Sequence, residues 1–447
     1  MSFDETYLYP RLYWIYALLV PAALSVVWGW RAGGAFPKMG WWLLGGLLLW
    51  MLVSVLLTGA GWAGFWGQTD RADGLLIHLV YALVLLAGWC WTRWEADWAA
   101  RLSGAVLLLG GLAALSNVLQ QLHIAGIPNQ NALSGVIATP FGGTLGHRGY
   151  LGGYMALLLP VALWLGAGLP RVRQGWVALT VTLIAWAWLG SATRGAWLAG
   201  GAGLLCLLVL QRRFAWRQWW PVALGALLFA GSNAVFHNSR ELSLNGENGQ
   251  ALADSSGRTV LWSSALLGIK QKPLLGWGTP SLLQAMNARP SEQLLAENGT
   301  RDVKSFRKLN RSDEDLPAFQ VTYTSGKRER VLLGGGVDKV HNEYLDYALT
   351  YGLPVALAFI GLLGWAIWSG RAAAPGLSAG LVAFTVYLLT WPEVIRFAPI
   401  AWFFMGAALA AGASTRRAAA KVQPCPSPPS KNGIPSPGSS QEATSLS

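Results

Sequence analysis

Charge is scarce in this chain of 447 residues: Asp, Glu, Lys and Arg together make up 12% of it. That is about half the share usual in soluble domains, too little polar side chain to coat the surfaces of several of them. Cysteine is equally sparse. Cys90 and Cys206 lie in apolar runs and Cys425 in a Pro-rich tail, so neither a disulfide framework nor a paired zinc spacing is present. The opening residues carry Asp4 and Glu5 in place of a basic cluster, and no small-residue cleavage site follows. No cleavable signal peptide is expected. Acidic residues are missing from the long apolar runs altogether. Ion-coupled carriers keep ionisable partners at membrane depth, so this absence argues against ion-coupled transport. Basic residues outnumber acidic ones, 33 to 21, but sit in short clusters between apolar runs. A nucleic-acid partner is not expected.

What the chain does have is apolar length. Hydrophobic residues reach 53%, with 54 Gly and 26 Trp, residues at home in membrane helices and membrane interfaces respectively. A hydrocarbon core of roughly 30 Å requires about 17–25 apolar residues per helix. Runs of that kind lie near 12–30, 41–61, 74–91, 102–120, 149–169, 174–190, 195–210, 219–236, 351–369, 375–391 and 397–412. Their continuous apolar character predicts helices, since membrane strands need only about 10 alternating residues. The expected fold is an all-α polytopic membrane protein of eleven transmembrane helices, or twelve, with one large extracytoplasmic loop. Helices one to eight fall within 1–236, the loop over 237–340, helices nine to eleven within 341–412, and a disordered cytoplasmic tail over 413–447.

Thirteen Lys and Arg fall in one set of alternate connections and five in the other, the long loop aside. The richer set includes Arg416, Arg417 and Lys421, which predicts a cytoplasmic C-terminus and, with eleven helices, an outer N-terminus. The long loop then lies outside. It carries 14 basic and 11 acidic residues, a nearly balanced count that suits a soluble subdomain. Residues 256–272 read as a helix stopped by Pro273, with a turn at Gly276 and Gly278. Residues 422–447 hold six Pro and seven Ser, too little to bury for a fold.

Four polar motifs interrupt the apolar pattern, all on the outer side. They are Gly146-His147-Arg148-Gly149, Ser191-Ala192-Thr193-Arg194-Gly195, Ser256-Gly257-Arg258-Thr259 and His341-Asn342-Glu343-Tyr344-Leu345. The third leads to Pro273-Leu274-Leu275-Gly276-Trp277-Gly278 and the fourth to Tyr351-Gly352-Leu353-Pro354. Each also has a plain structural reading. Arg148 and Arg194 suit interfacial anchors, Arg258 a pair with Asp254, and Asn342 a helix cap. His78 suits a hydrogen-bonded structural histidine, and Trp41, Trp42, Trp62, Trp66, Trp89, Trp91, Trp219 and Trp220 an interface belt. Asp70 and Asp73 suit a solvated turn, with a catalytic or metal-binding carboxylate as the rival. Glu393 and Arg396 are expected to pair near the interface. The spacing of His123, His147 and His237 suits no metal site.

In this order the motifs resemble the O-antigen ligase and polymerase superfamily of membrane glycan transferases, over roughly residues 100–412. The ligase pattern separates His-Asn from a Gly by nine residues, as residues 343–351 separate His341-Asn342 from Gly352 here. Val355 occupies a position where that pattern has Gly, Thr or Tyr, which leaves ligase and polymerase both open. The resemblance implies transfer of a glycan from a polyprenyl diphosphate to an acceptor hydroxyl, on a lipid, protein or glycan, at the outer face of the cytoplasmic membrane. It implies Arg194, Arg258 and His341 as catalytic residues and Arg148, Asn342 and Tyr344 as substrate-binding ones, with membrane lipids around them and neither cofactor nor metal. The rival class is a transporter of a small solute such as bicarbonate. Asp338 and Asp346 are close enough in sequence to orient His341.

Overall fold

In a computed structural model of the chain, the described residues are 17, 19–31, 35–68, 72–124, 141–212, 216–236, 258–297, 302–309, 318–332 and 339–422. The expectations for Asp70, Asp254, Asp338 and the tail beyond 422 lie outside them. Helices run in the order α1 (Leu19–Arg31), α2 (Lys38–Leu57), α3 (Gly61–Trp66), α4 (Leu75–Trp94), α5 (Trp98–Gln121), α6 (Arg148–Ala167), α7 (Gln174–Gly190), α8 (Arg194–Gln211) and α9 (Trp216–Phe236). The long loop contributes α10 (Arg258–Gln271), α11 (Ser281–Asn287) and α12 (Ser291–Glu297). Helices α13 (Glu343–Tyr351), α14 (Leu353–Gly370), α15 (Pro375–Leu388) and α16 (Ala398–Val422) complete the chain. Among the described residues each apolar run centres on one helix, although 41–61 reaches the first residue of α3 and 351–369 begins at the last residue of α13.

Among the described residues seven helices, α2, α4, α5, α6, α8, α9 and α14, are long and apolar enough to cross a membrane, and α1, α15 and α16 contain shorter apolar stretches. The chain is a multi-pass membrane protein. Its exterior agrees: Leu49, Leu108, Leu198, Leu227 and Leu357, on five different helices, are all exposed, an apolar surface suited to lipid. Trp42 and Trp62 lie exposed at helix ends as an interface belt requires, but Trp89 does not. It is 2% exposed, packed edge-on against Phe36.

The centre of the bundle is α6, most of whose residues are buried among its neighbours. It packs on α5, α7, α8 and α15, while α16 packs on α4 and α14.

The fold is not all-α. Inside the long loop β1 (Val303–Leu309), β2 (Ala318–Tyr323) and β3 (Arg328–Leu332) form an antiparallel meander in the order β1-β2-β3. Phe319 pairs with Val331 and Lys308, and Thr322 with Arg328, across a turn at Gly326. Phe319 and Val321 are fully buried, so the sheet has an apolar face to hold it, as a half-buried strand should.

The loop helix appears where expected and is tied down. Pro273 ends α10, and the chain turns through Gly276 and Gly278. Trp277 N–H and Gly278 N–H donate to the carbonyls of Leu349 and Thr350 at the end of α13, and Leu353 N–H donates to Pro273. From the other side, Trp50 Nε1 and Ser54 Oγ on α2 donate to the carbonyls of Leu274 and Leu275, at 2.8 and 2.6 Å. Gly352, at φ +94°, makes the α13–α14 corner directly against the Leu274 carbonyl. A side chain there would be strained by both backbone angle and space. Through this turn the helix that starts at Arg258 and the helix that follows His341 share one scaffold.

Candidate functional site

Arg148 and Arg194 are each the first residue of a helix, α6 and α8, and Arg258 is the first described residue of α10. His341 immediately precedes the N-cap of a fourth, α13. A helix N-terminus carries partial positive charge, so a cation there is opposed by roughly 0.3–1 kcal/mol. Arg148 and Arg194 in this disfavoured position suit an anion that both guanidinium groups and helix-end N–H groups can bind.

All four helix starts meet at Trp391, in the connection between α15 and α16. The His341 and His147 rings lie edge-on to the indole, with centroids at 5.6 and 5.2 Å. The Arg258 guanidinium stands 6.0 Å from its centroid, and Tyr387 stacks on it at 6.3 Å with 7° between the planes. Gly149 presses backbone on the indole: a Cβ there would lie 2.5 Å from two ring carbons. Gly195, directly after Arg194, lies against Thr390 and Trp391 in the same way. Trp391 Nε1 is buried and has no hydrogen-bond partner among the described residues.

Local structure aims each residue. His147 caps α6, its Nδ1 accepting from Gly149 N–H at 3.0 Å, which fixes the entry of Arg148. Ahead of Arg194, Ala192 takes a left-handed φ of +45°, and Thr193 Oγ1 donates to the Ser191 carbonyl at 3.1 Å. Arg258 and Arg194 are close enough to interact. Burial, and then the positive charge of Arg194, hold the Arg258 guanidinium below its usual range, an arrangement an anion between them would relieve.

His341 has a left-handed φ of +54°, uncommon for a residue with a side chain and worth a functional question. A buried polar knot beneath it holds the backbone so. Lys339 Nζ pairs with Asp346, at 2.6 Å, and with Asp73. Asp346 also accepts from Val340 N–H at 3.4 Å, and Asn342 accepts from Leu345 N–H at 3.2 Å as the cap of α13. Glu343 Oε2 accepts from Glu393 N–H at 2.7 Å, which docks the Trp391 turn on α13. Burial, and then neighbouring Asp346, push Glu343 well above the usual carboxylate range. Lys339 is raised well above its ordinary 10.5: burial opposes its charge, but Asp346, Asp73 and Glu343 outweigh that. The knot surrounds a cavity of about 20 Å3, lined also by His78, Tyr347, Tyr351 and Glu393, room for roughly one water.

Arg194, Arg258 and His341 therefore come together, with Arg148 at the start of the adjoining α6. Asn342 and Tyr344 take structural roles: Asn342 caps, and the Tyr344 hydroxyl donates to the Thr385 carbonyl at 2.9 Å. His78 is a structural histidine, bonded to the Gly74 carbonyl and the Tyr347 hydroxyl. Three expectations are corrected. Asp73 is no solvated turn, because Lys339 reaches it from the far end of the long loop. Asp346 serves Lys339 and Val340 rather than His341. Glu393 is hydrogen-bonded to Tyr347 and Trp402 rather than to Arg396, whose guanidinium donates to the Leu145 carbonyl and lies over Tyr150. Trp391, His147, Lys339 and Glu343 were not among the expected site residues. Among the described residues no cluster of three or more His, Cys, Asp or Glu could hold a metal ion.

Residues 178–360 match the O-antigen ligase family. The chain resembles the O-antigen ligase and polymerase superfamily. The matched segment holds Arg194, Arg258 and His341 and the two turns that scaffold them. Trp391, Arg148 and Glu393 lie beyond its ends. A search among curated proteins finds no match. The O-antigen ligase family stands for ligase- or polymerase-type glycan transfer.

Proposed function

We propose that this protein transfers a glycan from a polyprenyl diphosphate to an acceptor hydroxyl at the outer face of the cytoplasmic membrane. The observation that carries the proposal is the convergence of three arginine-bearing helix starts and His341 on Trp391. The acceptor oxygen attacks the anomeric carbon, the bond from that carbon to the diphosphate oxygen breaks, and polyprenyl diphosphate leaves with its electron pair. Charge grows on the diphosphate as this happens. Arg194 and Arg258 meet it with planar, fixed donors, and Arg148 and the helix N–H groups extend the cradle. His341 takes the proton that the acceptor hydroxyl loses, a contribution typically worth roughly 10²–10⁴-fold.

The lysine and arginine asymmetry supports an outer location, with residues 237–340 as the extracytoplasmic subdomain between eight helices and the last three. The acceptor is a hydroxyl on a lipid, a protein or another glycan repeat. Purified protein supplied with a polyprenyl diphosphate glycan and hydroxyl acceptors tests the reading. Wild type transfers, and His341→Ala inserts and binds donor but transfers at least about 10²-fold more slowly. Solute flux through wild type with no transfer to any acceptor would move the assignment to a transporter.

A further inference from the structure

Three hydrogen bonds run in series behind the site. His78 Nδ1 meets the Gly74 carbonyl at 2.7 Å, His78 Nε2 meets the Tyr347 hydroxyl at 2.9 Å, and that hydroxyl meets Glu393 Oε2 at 2.7 Å. Each bond needs one proton between its heavy atoms. The Gly74 carbonyl has none to give, so Nδ1 carries the first. Tyr347 brings the second. A neutral imidazole has no proton left for Nε2, and an ionised carboxylate has none at all. The other carboxyl oxygen of Glu393 is occupied by Trp402 Nε1–H at 2.7 Å. Three bonds therefore share two protons, and the series is complete only when it binds one more.

We propose that Glu393 holds this third proton as a neutral acid, and that it is a positioning residue: losing the proton loosens the Trp391 turn from α13 and misplaces Trp391 and His341. The second half rests on the glycan-transfer reading. The alternative, an imidazolium at His78 facing an ionised Glu393, would bury two charges where the acid buries none.

The surroundings favour the acid. From α13 Glu393 faces Glu343, Tyr344, Asp346 and Tyr347, and from α4 His78 and Tyr81. Asp73 and Tyr351 close the cavity. The cation on this side, Lys339, is already shared by Asp73 and Asp346. Burial lifts Glu393 to about 7, against the pull of Tyr347, Trp402 and Lys339. The link to the site is direct, because the backbone N–H of Glu393 is bonded to Glu343, two residues beyond His341, and Trp391 stands two residues before Glu393. An ionised Glu393 adds charge beside Glu343 and leaves the single Tyr347 proton facing two acceptors.

Glu393→Gln is the discriminating variant. Its Nε2–H donates to Tyr347 and its Oε1 accepts from Trp402, so it copies the acid and cannot copy the carboxylate that an imidazolium requires. Infrared pH titration of purified protein in lipid nanodiscs, paired with transfer assays, reads both halves. In wild type a protonated-carboxyl band should disappear as pH rises through about 7, and transfer should fall about tenfold per further pH unit. In Glu393→Gln that band is absent, and transfer stays within about twofold of the wild-type low-pH rate up to about pH 9. Glu393→Ala, which leaves the Tyr347 oxygen without its donor and Trp402 without its acceptor, should transfer poorly at every pH. An inactive but folded Gln variant, an unchanged alkaline limb, or a band that survives Glu393→Gln would overturn the proposal. A band that titrates and vanishes as expected, in a protein that transfers nothing at any pH, would keep the proton on Glu393 and refute the glycan-transfer reading instead.

Discussion

Replacing Lys339 by Met should be among the most damaging single changes in the chain outside the arginines and His341. The side chain is 10% exposed, and its partners Asp73 and Asp346 are 16% and 5% exposed. Met keeps the length and apolar stem but removes the cation from between two buried carboxylates. Breaking one partner from a buried ion pair costs about 3–5 kcal/mol, and here two carboxylates lose the same cation, so the upper half of that range applies. The loss depends on pH with a definite sign. Protons can replace the missing ammonium on Asp73 and Asp346, so Lys339→Met should be less destabilised near pH 5 than near pH 8. In wild type the raised pKa of Lys339 makes its contribution full below its ordinary 10.5 and lost only as pH rises beyond that. Denaturant unfolding in mild detergent, followed by tryptophan fluorescence, measures the difference. Asp73→Asn and Asp346→Asn introduced together into Lys339→Met should recover part of the stability, because no unpaired charge then remains. A loss below about 1 kcal/mol, or an equal loss at both pH values, would refute a buried knot held by one lysine.

Arg194→Lys and Arg258→Lys keep the charge but lose the planar fork, so each should impair transfer by roughly tenfold or more while the protein inserts normally. Full transfer by both would remove the arginines from the site. Gly352→Ala should destabilise by about 1–3 kcal/mol, since a side chain must adopt φ +94° against the Leu274 carbonyl, and unfolding midpoints check it. Reporters fused after Arg417 and within 290–320 should read cytoplasmic and extracytoplasmic. Finding them on one side would separate His341 from the outer face.

The helices were legible because each is a long apolar run, and nothing but burial or lipid accommodates such a run. The motifs were legible for the converse reason: Arg194 or His341 between apolar stretches is a polar group that the fold must explain. Trp391 carried no such signal, since a tryptophan at the end of a run looks the same whether it faces lipid or gathers four helix starts. The ion pair of Asp73 and Lys339 joins residues far apart in the chain, and electrostatic partners so distant leave no local pattern; Asp73 by itself reads as a turn residue. The sheet did leave a trace. Phe319-Gln320-Val321-Thr322-Tyr323 alternates apolar and polar residues ahead of Ser325-Gly326, the signature of a hairpin, outweighed by the polar composition of the loop around it. Asn342 carries two readings at once. Its place in the His-Asn motif suggested substrate contact, and its side chain caps a helix.

The central claim is that the helix starts bearing Arg194 and Arg258, together with His341, break a sugar–diphosphate bond. A single-turnover reaction with a labelled polyprenyl diphosphate glycan measures it most directly, by following acceptor glycosylation and polyprenyl diphosphate release together. The account predicts that both products appear at one rate with wild type, in equal amounts, and that both rates fall together in His341→Ala and Arg258→Lys. Release without glycosylation, or equal rates in wild type and both variants, would contradict it.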